Sequence, residues 1–456
     1  MDAKDRRIAE LEAQVKALTE QVAKLTAALE EARRAGKRQA APFRKPKKAG
    51  PPEKPGRKAG DEHGQHFHRS PPPPEQVDEQ YDVPLPPTCG GCGSSQVIET
   101  EIRQQFQTDV VVSVVVRQFD IHAGQCQACG GAVSGRHPLQ TSAAVGAAGH
   151  QWGPWVHAAI ALLNKSSGLS YGKIQSLFRE LFGVEMARST GARSVLRTAQ
   201  RCEPAAEQIR REVRGSPQAT PDETGWRVGG DKAWLHTFAT PRAVWYEVDP
   251  TRSGAVIERL LGAAWDGWLV HDGWSPYDAL TSAVHQQCTA HLLRRVDELL
   301  ASAVGGAVRF PRAVRQLLLQ GLAVRNRFQQ GELTEHGMLV MAGRLKSQLL
   351  KLVLPHRTHP GNNRFAWFLY DHLDDIFAYL RHPGMDATNW RGEQAIRPAV
   401  VNRKVWGGNR TWLGARAQSV LTSVMQTCRL RLISPFDYLR NTLTTPGGLI
   451  IPAAGR

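Results

Sequence analysis

Three stretches decide the fold: residues 219–228 read ATPDETGWRV, residues 233–240 read AWLHTFAT and residues 243–248 read AVWYEV. Each is rich in aromatic and β-branched residues, and turns with Gly or Pro separate them, so the sequence predicts three short strands. A predicted helix spans about 253–261, and a fourth apolar strand, 268–271, ends at Asp272. A fifth strand is predicted at 283–288. This order predicts an α/β sheet whose fourth strand is added in parallel.

Three acidic residues occupy special positions relative to this sheet. Asp222 lies on the first strand, Asp272 ends the fourth, and Glu393 lies on a later predicted helix. Neighbouring strands bring the two aspartates together, and a helix packed on the sheet can deliver the glutamate. Three carboxylates suit one or two Mg²⁺ ions serving in-line phosphoryl transfer. Glu223 competes with Asp222, but side chains alternate along a strand, so we choose Asp222.

The helix that carries Glu393 reads NWRGEQAIRP over residues 389–398. At helical spacing Asn389, Glu393 and Arg397 share one face, which can hold a metal ion beside a phosphate. The alternative is a solvated helix in which Glu393 only pairs with Arg397. Asn389 either orients Glu393 or caps the helix.

The composition favours a polyanionic partner. The 456 residues carry a net charge of +16, and nucleic acid is the commonest partner of such a chain. No apolar run approaches the ~20 residues of a membrane-spanning helix, and the first residues lack the apolar core of a signal peptide. We therefore expect a soluble intracellular protein and no membrane partner.

The chain begins with a heptad pattern followed by a basic segment. Apolar residues alternate in steps of three and four from Ile8 to Leu29, which predicts a short coiled coil; the alternative is one amphipathic helix docked on its own protein. Between Arg33 and Gly60, eleven Lys or Arg face one acid, Glu53, among Pro, Gly and Ala. That segment is expected to be a solvated tether that also contacts phosphates without sequence preference.

Four of the seven cysteines form two Cys-x-x-Cys pairs, and each pair is followed by a glycine. The pairs are Cys89, Cys92, Cys126 and Cys129. Between them, Gln107 to Phe119 is rich in valine and is predicted to form a hairpin. Two matched thiolate pairs predict a structural zinc ribbon, with a redox pair as the alternative.

A predicted helix–turn–helix follows. Residues 170–184 have the pattern of a capped helix that ends at Gly183, and a second helix starting at Ser189-Thr190 carries Arg188, Arg193 and Arg197. A basic second helix after a tight turn is typical of DNA-reading motifs, although plain helical hairpins share the pattern.

These motifs, in this order, make the chain similar to the IS66-type transposases of bacterial insertion sequences. The similarity runs from the coiled coil and the Cys pairs through Asp222-Glu223-Thr224, His271-Asp272-Gly273, Cys288-Thr289-Ala290-His291 and Arg294-Arg295 to the 389–404 block and Tyr438-Leu439. It implies an RNase H-like core whose Asp222, Asp272 and Glu393 form a DDE triad binding Mg²⁺ (or Mn²⁺). Where the family commonly has an Ala-Glu pair and a second Asn, this chain has Gly392 and Trp390. Cys288 and His291 could bind a metal or pack as a structural pair.

The predicted organisation is a multidomain chain with eight segments. They are a coiled coil (1–32), a basic linker (33–80), a zinc ribbon (81–138), a helical DNA-binding domain (139–215), the first part of the core (216–290), an all-helical insertion (291–385), the C-terminal helices of the core (386–440) and a tail (441–456).

The resemblance implies a transposase that binds element ends and catalyses strand cleavage and strand transfer. Arg397, Arg403 and Lys404 would hold phosphates, and the coiled coil would pair two protomers on double-stranded DNA, with accessory proteins of the element as further partners. The alternatives are a noncatalytic DNA-binding regulator built from the same modules and an RNase H-like nuclease that cuts without joining.

Overall fold

The computed structural model describes residues 21, 71–111, 113–140, 143–146, 151–445 and 447–452. The predicted coiled coil, apart from Gln21, and most of the basic linker lie outside these residues. The chain divides into two compact units, 1–110 and 111–456. In the described parts, no helix has both the length and the apolar character needed to cross a membrane.

The first unit contains the first Cys-x-x-Cys turn. A short 3₁₀ helix at Pro74–Gln76 precedes it. The Gly93 amide donates to the Cys89 carbonyl at 2.8 Å, and Gly93 has φ +75°, which glycine adopts without steric cost. Hydrogen bonds from neighbouring amides lower the pKa of the Cys89 thiol. The turn therefore favours a thiolate.

The second unit contains a matching turn. The Gly130 amide donates to the Cys126 carbonyl at 2.8 Å, and backbone hydrogen bonds lower the pKa of Cys126 as well. The turn joins two short antiparallel strands, β1 (Ala123–Gln125) and β2 (Ala132–Ser134). Each turn by itself has the local geometry expected of a metal knuckle, and the zinc ribbon stays a prediction.

The hairpin predicted for Gln107 to Phe119 is wrong. The described residues of this stretch contain no strand, and Val110, Val111 and Val116 are exposed. Valine stabilises a strand only where its side chain packs against a neighbouring strand or is buried on one face of a sheet. Here the hairpin forms instead around the second Cys pair.

Three helices lead into the sheet: α1 (Pro154–Lys165), α2 (Tyr171–Phe182) and α3 (Arg188–Arg214). The predicted cap and stop of α2 are confirmed, since the Ser170 side chain accepts from the Lys173 amide and Gly183 ends the helix in the left-handed conformation. α3 is much longer than a recognition helix needs to be. Its second half packs with the sheet that follows.

Five strands form one mixed sheet in the order β5-β4-β3-β6-β7. They are β3 (Gln218–Val228), β4 (Asp231–Ala239), β5 (Val244–Asp249), β6 (Trp268–His271) and β7 (Val284–Gln287). β3, β4 and β5 are antiparallel, whereas β6 pairs in parallel with β3 and β7 in parallel with β6. The predicted parallel fourth strand is confirmed, and α4 (Gly254–Leu261) occupies the predicted position between β5 and β6.

Helices cover both faces of the sheet. One core joins α1, α3 and α4 with the helices α10 (Trp412–Leu430) and α11 (Pro435–Thr444) and with one side of the strands. The other core packs α9 (Trp390–Trp406) on Trp226, Val228 and Tyr246. Because α1 and α3 share their core with the sheet, the predicted boundary at 215/216 falls inside one hydrophobic core.

Hydroxyl groups of α10 protect the edge strand β5. The amides of Val244, Tyr246 and Val248 donate to the side chains of Thr427, Ser423 and Ser419. Side-chain acceptors thus replace the missing neighbouring strand, which leaves no unpaired row of amides at this edge.

Between β7 and α9 the chain forms the predicted helical insertion. It consists of α5 (Thr289–Ser302), α6 (Arg309–Gln329), α7 (Glu335–Val353) and α8 (Pro360–Asp371). These helices build a core of their own that also receives Val270 from β6. The insertion is therefore anchored on the strand that leads to Asp272.

The last helix runs past residue 441, where the tail was predicted to begin. α11 continues to Thr444, and beyond it Ile451 is buried while its carbonyl accepts from the Arg431 guanidinium. The burial of Ile451 accounts for this fold, because the chain must return to the core to remove this apolar side chain from water.

Candidate active site

Asp222 lies on the face of β3 that α9 covers. Side chains alternate along a strand, so Asp222 shares its face with Trp226 and Val228, which pack against α9. Glu223 therefore points to the opposite face. Asp222 is half-buried, and one of its carboxylate oxygens accepts from the Glu223 amide at 2.9 Å.

Asp272 follows the last residue of β6. Its carboxylate accepts from the Trp274 amide at 3.0 Å, which closes a tight turn. Gly273, at φ +87°, sits in this turn, and a Cβ there would lie 2.8 Å from a Gln287 oxygen and 3.1 Å from the Phe368 ring. Any larger residue would push the Asp272 turn away from β7 and from the insertion.

Glu393 lies in the first turn of α9, and Gly392 lets that turn approach β3 closely. A Cβ on Gly392 would lie 3.0 Å from the Thr220 carbonyl oxygen, 3.1 Å from the Pro221 carbonyl oxygen and 3.3 Å from the Asp222 Cβ. The helix backbone thus rests on the strand beside Asp222. The Glu393 side chain is 47% exposed, so it is open to a ligand from solvent.

The electrostatics connect these three acids. Burial, the largest cause, and the nearby carboxylates of Glu223, Asp272 and Glu393 together raise the pKa of Asp222 to about 8. Acids that destabilise one another's charge are a common sign of a cation site, because a bound cation relieves the repulsion. The pKa of Asp222 is raised by both of the other two acids, Asp272 and Glu393.

Three carboxylates from separate elements fit a hard divalent cation by donor type. Their oxygens do not form a closed cluster: in the described part of the chain, the group with all ligand atoms within 4.8 Å is His271, Asp278 and His285. Because like charges repel, the three carboxylates are expected to lie farther apart without a bound cation than with one.

His271 and His285 form a chain of hydrogen bonds that uses their ring nitrogens, which argues against a metal site at this group. The Gly273 amide donates to Nδ1 of His271, which leaves the proton on Nε2 to donate to Nδ1 of His285 at 3.0 Å. Nε2 of His285 then donates to the Leu280 carbonyl. Burial and the neighbouring His285 lower the pKa of His271 well below its usual value, in keeping with a neutral His271 ring.

The Cys288 and His291 pair lies at the start of α5, beside the start of α9. The Asn389 amide donates to the Cys288 sulfur at 3.3 Å, and His291 Nε2 is 3.7 Å from a Glu393 oxygen. The Asn389 side chain makes no capping bond, and its oxygen is buried without a hydrogen-bond partner among the described residues. Capping by Asn389 is therefore not observed.

The basic residues named from the sequence fall into two groups. Arg397 and Lys404 are exposed on α9, whereas Nη1 of Arg403 donates to the Thr224 hydroxyl at 3.0 Å and to the Gly225 carbonyl. Arg403 is thus a tie between α9 and β3. Arg188 and Arg193 are exposed at the start of α3, and Arg197 contacts His157 at 3.3 Å.

Sequence reasoning missed the partners of Glu223. Its carboxylate binds Arg252 and Tyr277, which lie 29 and 54 residues away in the chain. No spacing rule connects such distant residues. The only available indication was the cluster of Trp274 and Tyr277 shortly after Asp272.

Comparison with known proteins places these residues in a family. The family model described as "Transposase IS66 family" matches residues 149–417, a region that contains all three acids. An uncharacterized protein, y4qI, of Sinorhizobium fredii is 25% identical over 325 residues, which cover 63% of this chain and 58% of that protein. The family match spans more than half of the chain and agrees with the resemblance found in its motifs. This chain belongs to the IS66 family of transposases.

Proposed function

We propose that the protein is a DNA transposase with an RNase H-like core, in which Asp222, Asp272 and Glu393 form the metal-binding triad. The observation that carries the proposal is the convergence of charge on Asp222. Its pKa is raised to about 8 in part by the other two acids, which come from different elements. Family membership supports the transposase function, and the triad with its metal is our assignment.

The residues divide the work. Bound Mg²⁺ or Mn²⁺ would supply a charge that activates the attacking oxygen and neutralises the leaving oxygen. The three carboxylates would hold the ions, with Gly392 allowing Glu393 to approach β3. Arg397 and Lys404 would contact backbone phosphates along α9.

Other parts of the chain would bring DNA to this site. The net charge of +16 favours DNA binding, and the exposed Arg188 and Arg193 at the start of α3 would contact the element ends. We propose further that the Cys-x-x-Cys turns bind structural zinc and that the N-terminal heptads pair two protomers.

The decisive experiment replaces Asp272 with Asn. The substrate is a supercoiled plasmid that carries the DNA flanking the gene, with Mg²⁺ or Mn²⁺ present. Asp272→Asn should abolish cleavage and strand transfer but leave binding to the flanking DNA intact. Asp266→Asn is the matched control, since Asp266 is exposed just before β6 and should be dispensable.

Three other outcomes would contradict this proposal or favour one of the alternative functions. Strand transfer by the Asp272→Asn protein would overturn the triad. Metal-dependent cutting by the unaltered protein without joining would indicate a nuclease. Tight binding of flanking DNA by a protein that never cuts it would favour the regulator.

A further inference from the structure

The strand pairing that joins β3 to β6 stops before it reaches the two aspartates. Its register consists of Gln218 with Trp268 and Ala219 with Leu269. Asp222 and Asp272 each lie three residues beyond the last pair. The backbone hydrogen bonds of the sheet therefore do not fix the distance between these two carboxylates.

A buried network on the other face of the sheet spans this gap. The Glu223 side chain is only 2% exposed, and both of its oxygens are occupied. One accepts from the Arg252 guanidinium, with Nε at 3.1 Å, and the other accepts from the Tyr277 hydroxyl. A buried carboxylate with a full set of partners is held in one position.

Arg252 extends the network to the Asp272 turn. Its guanidinium lies over the Trp274 ring, 4.2 Å from the centroid, and over the Trp234 ring at 4.8 Å. Trp274 is the residue whose amide donates to the Asp272 carboxylate. Tyr277 lies in the 3₁₀ turn Ser275–Ala279, which continues from the same loop.

We propose that Glu223 is a positioning residue that, through Arg252 and Tyr277, sets the separation of Asp222 and Asp272 for divalent metal binding. The assignment rests on the proposed function of the triad. Glu223 touches no reacting atom in this account. It ties the strand that carries one metal ligand to the loop that carries the other.

The role predicts a particular kinetic signature. If the network sets the ligand separation, its loss weakens metal binding, and excess metal restores the geometry. Residues that support metal ligands typically change metal affinity by about 10- to 100-fold when they are replaced. A purely structural residue would instead reduce the folded fraction and the maximal rate without moving the metal dependence.

The test compares Tyr277→Phe and Glu223→Gln with Glu212→Gln. Glu212 pairs with the buried Arg431 just after α10, so its replacement removes a similar ion pair away from the triad. Two quantities are measured on each full-length protein: the Mg²⁺ concentration for half-maximal plasmid cleavage, and the Mg²⁺-dependent rise in Tm without DNA.

Glu223→Gln should raise the half-maximal Mg²⁺ concentration about tenfold, with a saturating rate within about threefold of the unaltered protein. Tyr277→Phe should give a smaller rise in the same direction, and Glu212→Gln none. An unchanged Mg²⁺ dependence in a folded Tyr277→Phe protein would overturn the proposal, even if Glu223→Gln fails to fold. Cleavage retained by Asp222→Asn would instead refute the triad itself.

Discussion

At the scale of single residues, Asp222 is the most perturbed acid of the candidate site. Burial is the larger cause and the neighbouring carboxylates the smaller one, and together they raise its pKa to about 8. The unfolded chain would ionise Asp222 near its ordinary value, so folding without metal binds a proton between about pH 4 and 8. Stability contributed by the neutral form is therefore lost as the pH rises through this range.

Replacing Asp222 with Asn should raise the Tm of the metal-free protein, because the amide carries no charge to bury. The gain should be absent near pH 3.5 and grow toward pH 8, reaching about 2 °C or more. Differential scanning calorimetry at several pH values measures it. Asp231→Asn, at an exposed position in β4, should show no such trend. A gain that shrinks with rising pH would mean that Asp222 is stabilised as an anion.

Two arginines of α9 should behave differently when replaced by alanine. Arg397 is exposed beyond Glu393, so Arg397→Ala should lower DNA affinity and reduce the slope of log K against log salt by about one. Arg403 binds Thr224 and Gly225, so Arg403→Ala should mainly lower Tm. Salt-dependent binding and thermal unfolding separate the two effects, and identical behaviour would contradict this division.

The sequence was sufficient to select Asp222, Asp272 and Glu393 as candidates, because alternation and strand order can be read locally. It was not sufficient to assign Glu223, whose role depends on Arg252 and Tyr277. Those contacts form only when a loop and a 3₁₀ turn fold onto β3. The contacts of Arg403 with Thr224 and Gly225 were missed for the same reason, since its charge suggests a phosphate partner and no local pattern indicates its approach to β3.

At the scale of elements, the contact between α9 and β3 brings Glu393 to the site. Gly392 is the closest point, with room for a Cβ only if the carbonyls of Thr220 and Pro221 give way by a few tenths of an ångström. A branched side chain would require much more.

Gly392→Ala should therefore keep most of the cleavage activity, whereas Gly392→Val should lower it at least about 100-fold by displacing Glu393. Plasmid cleavage at saturating Mg²⁺ measures both, and circular dichroism verifies folding. Gly343→Val, at an open position of α7, is the matched control and should remain active. Full activity of Gly392→Val would show that α9 need not rest on Asp222.

Helices and strands whose apolar residues recur at helical or alternating spacing were predictable from the sequence, and segments without such spacing were not. The five strands and the helices of the insertion follow from alternation and helical spacing. The valines near Val110 and Val116 have the composition of a strand but lack a buried face, so composition alone was misleading. The return of Ile451 to the core depends on contacts with Arg431 that lie outside any local pattern.

At the scale of the whole molecule, the described part of the second unit combines a sheet covered on both faces with a helical insertion that has its own core. The insertion starts directly after β7 and is anchored on β6 through Val270. It contributes Phe368 beside Gly273 and His291 beside Glu393. The insertion thus forms one wall of the candidate site.

The central claim is that Asp222, Asp272 and Glu393 bind the divalent ions together. Anomalous diffraction from crystals of the protein grown with Mn²⁺ and DNA tests it most directly. We expect one or two Mn²⁺ peaks, about 4 Å apart if two, with carboxylate oxygens of all three acids at roughly 2.2 Å. A peak at His271 and His285 instead, or Mn²⁺ bound with Glu393 turned away, would contradict it.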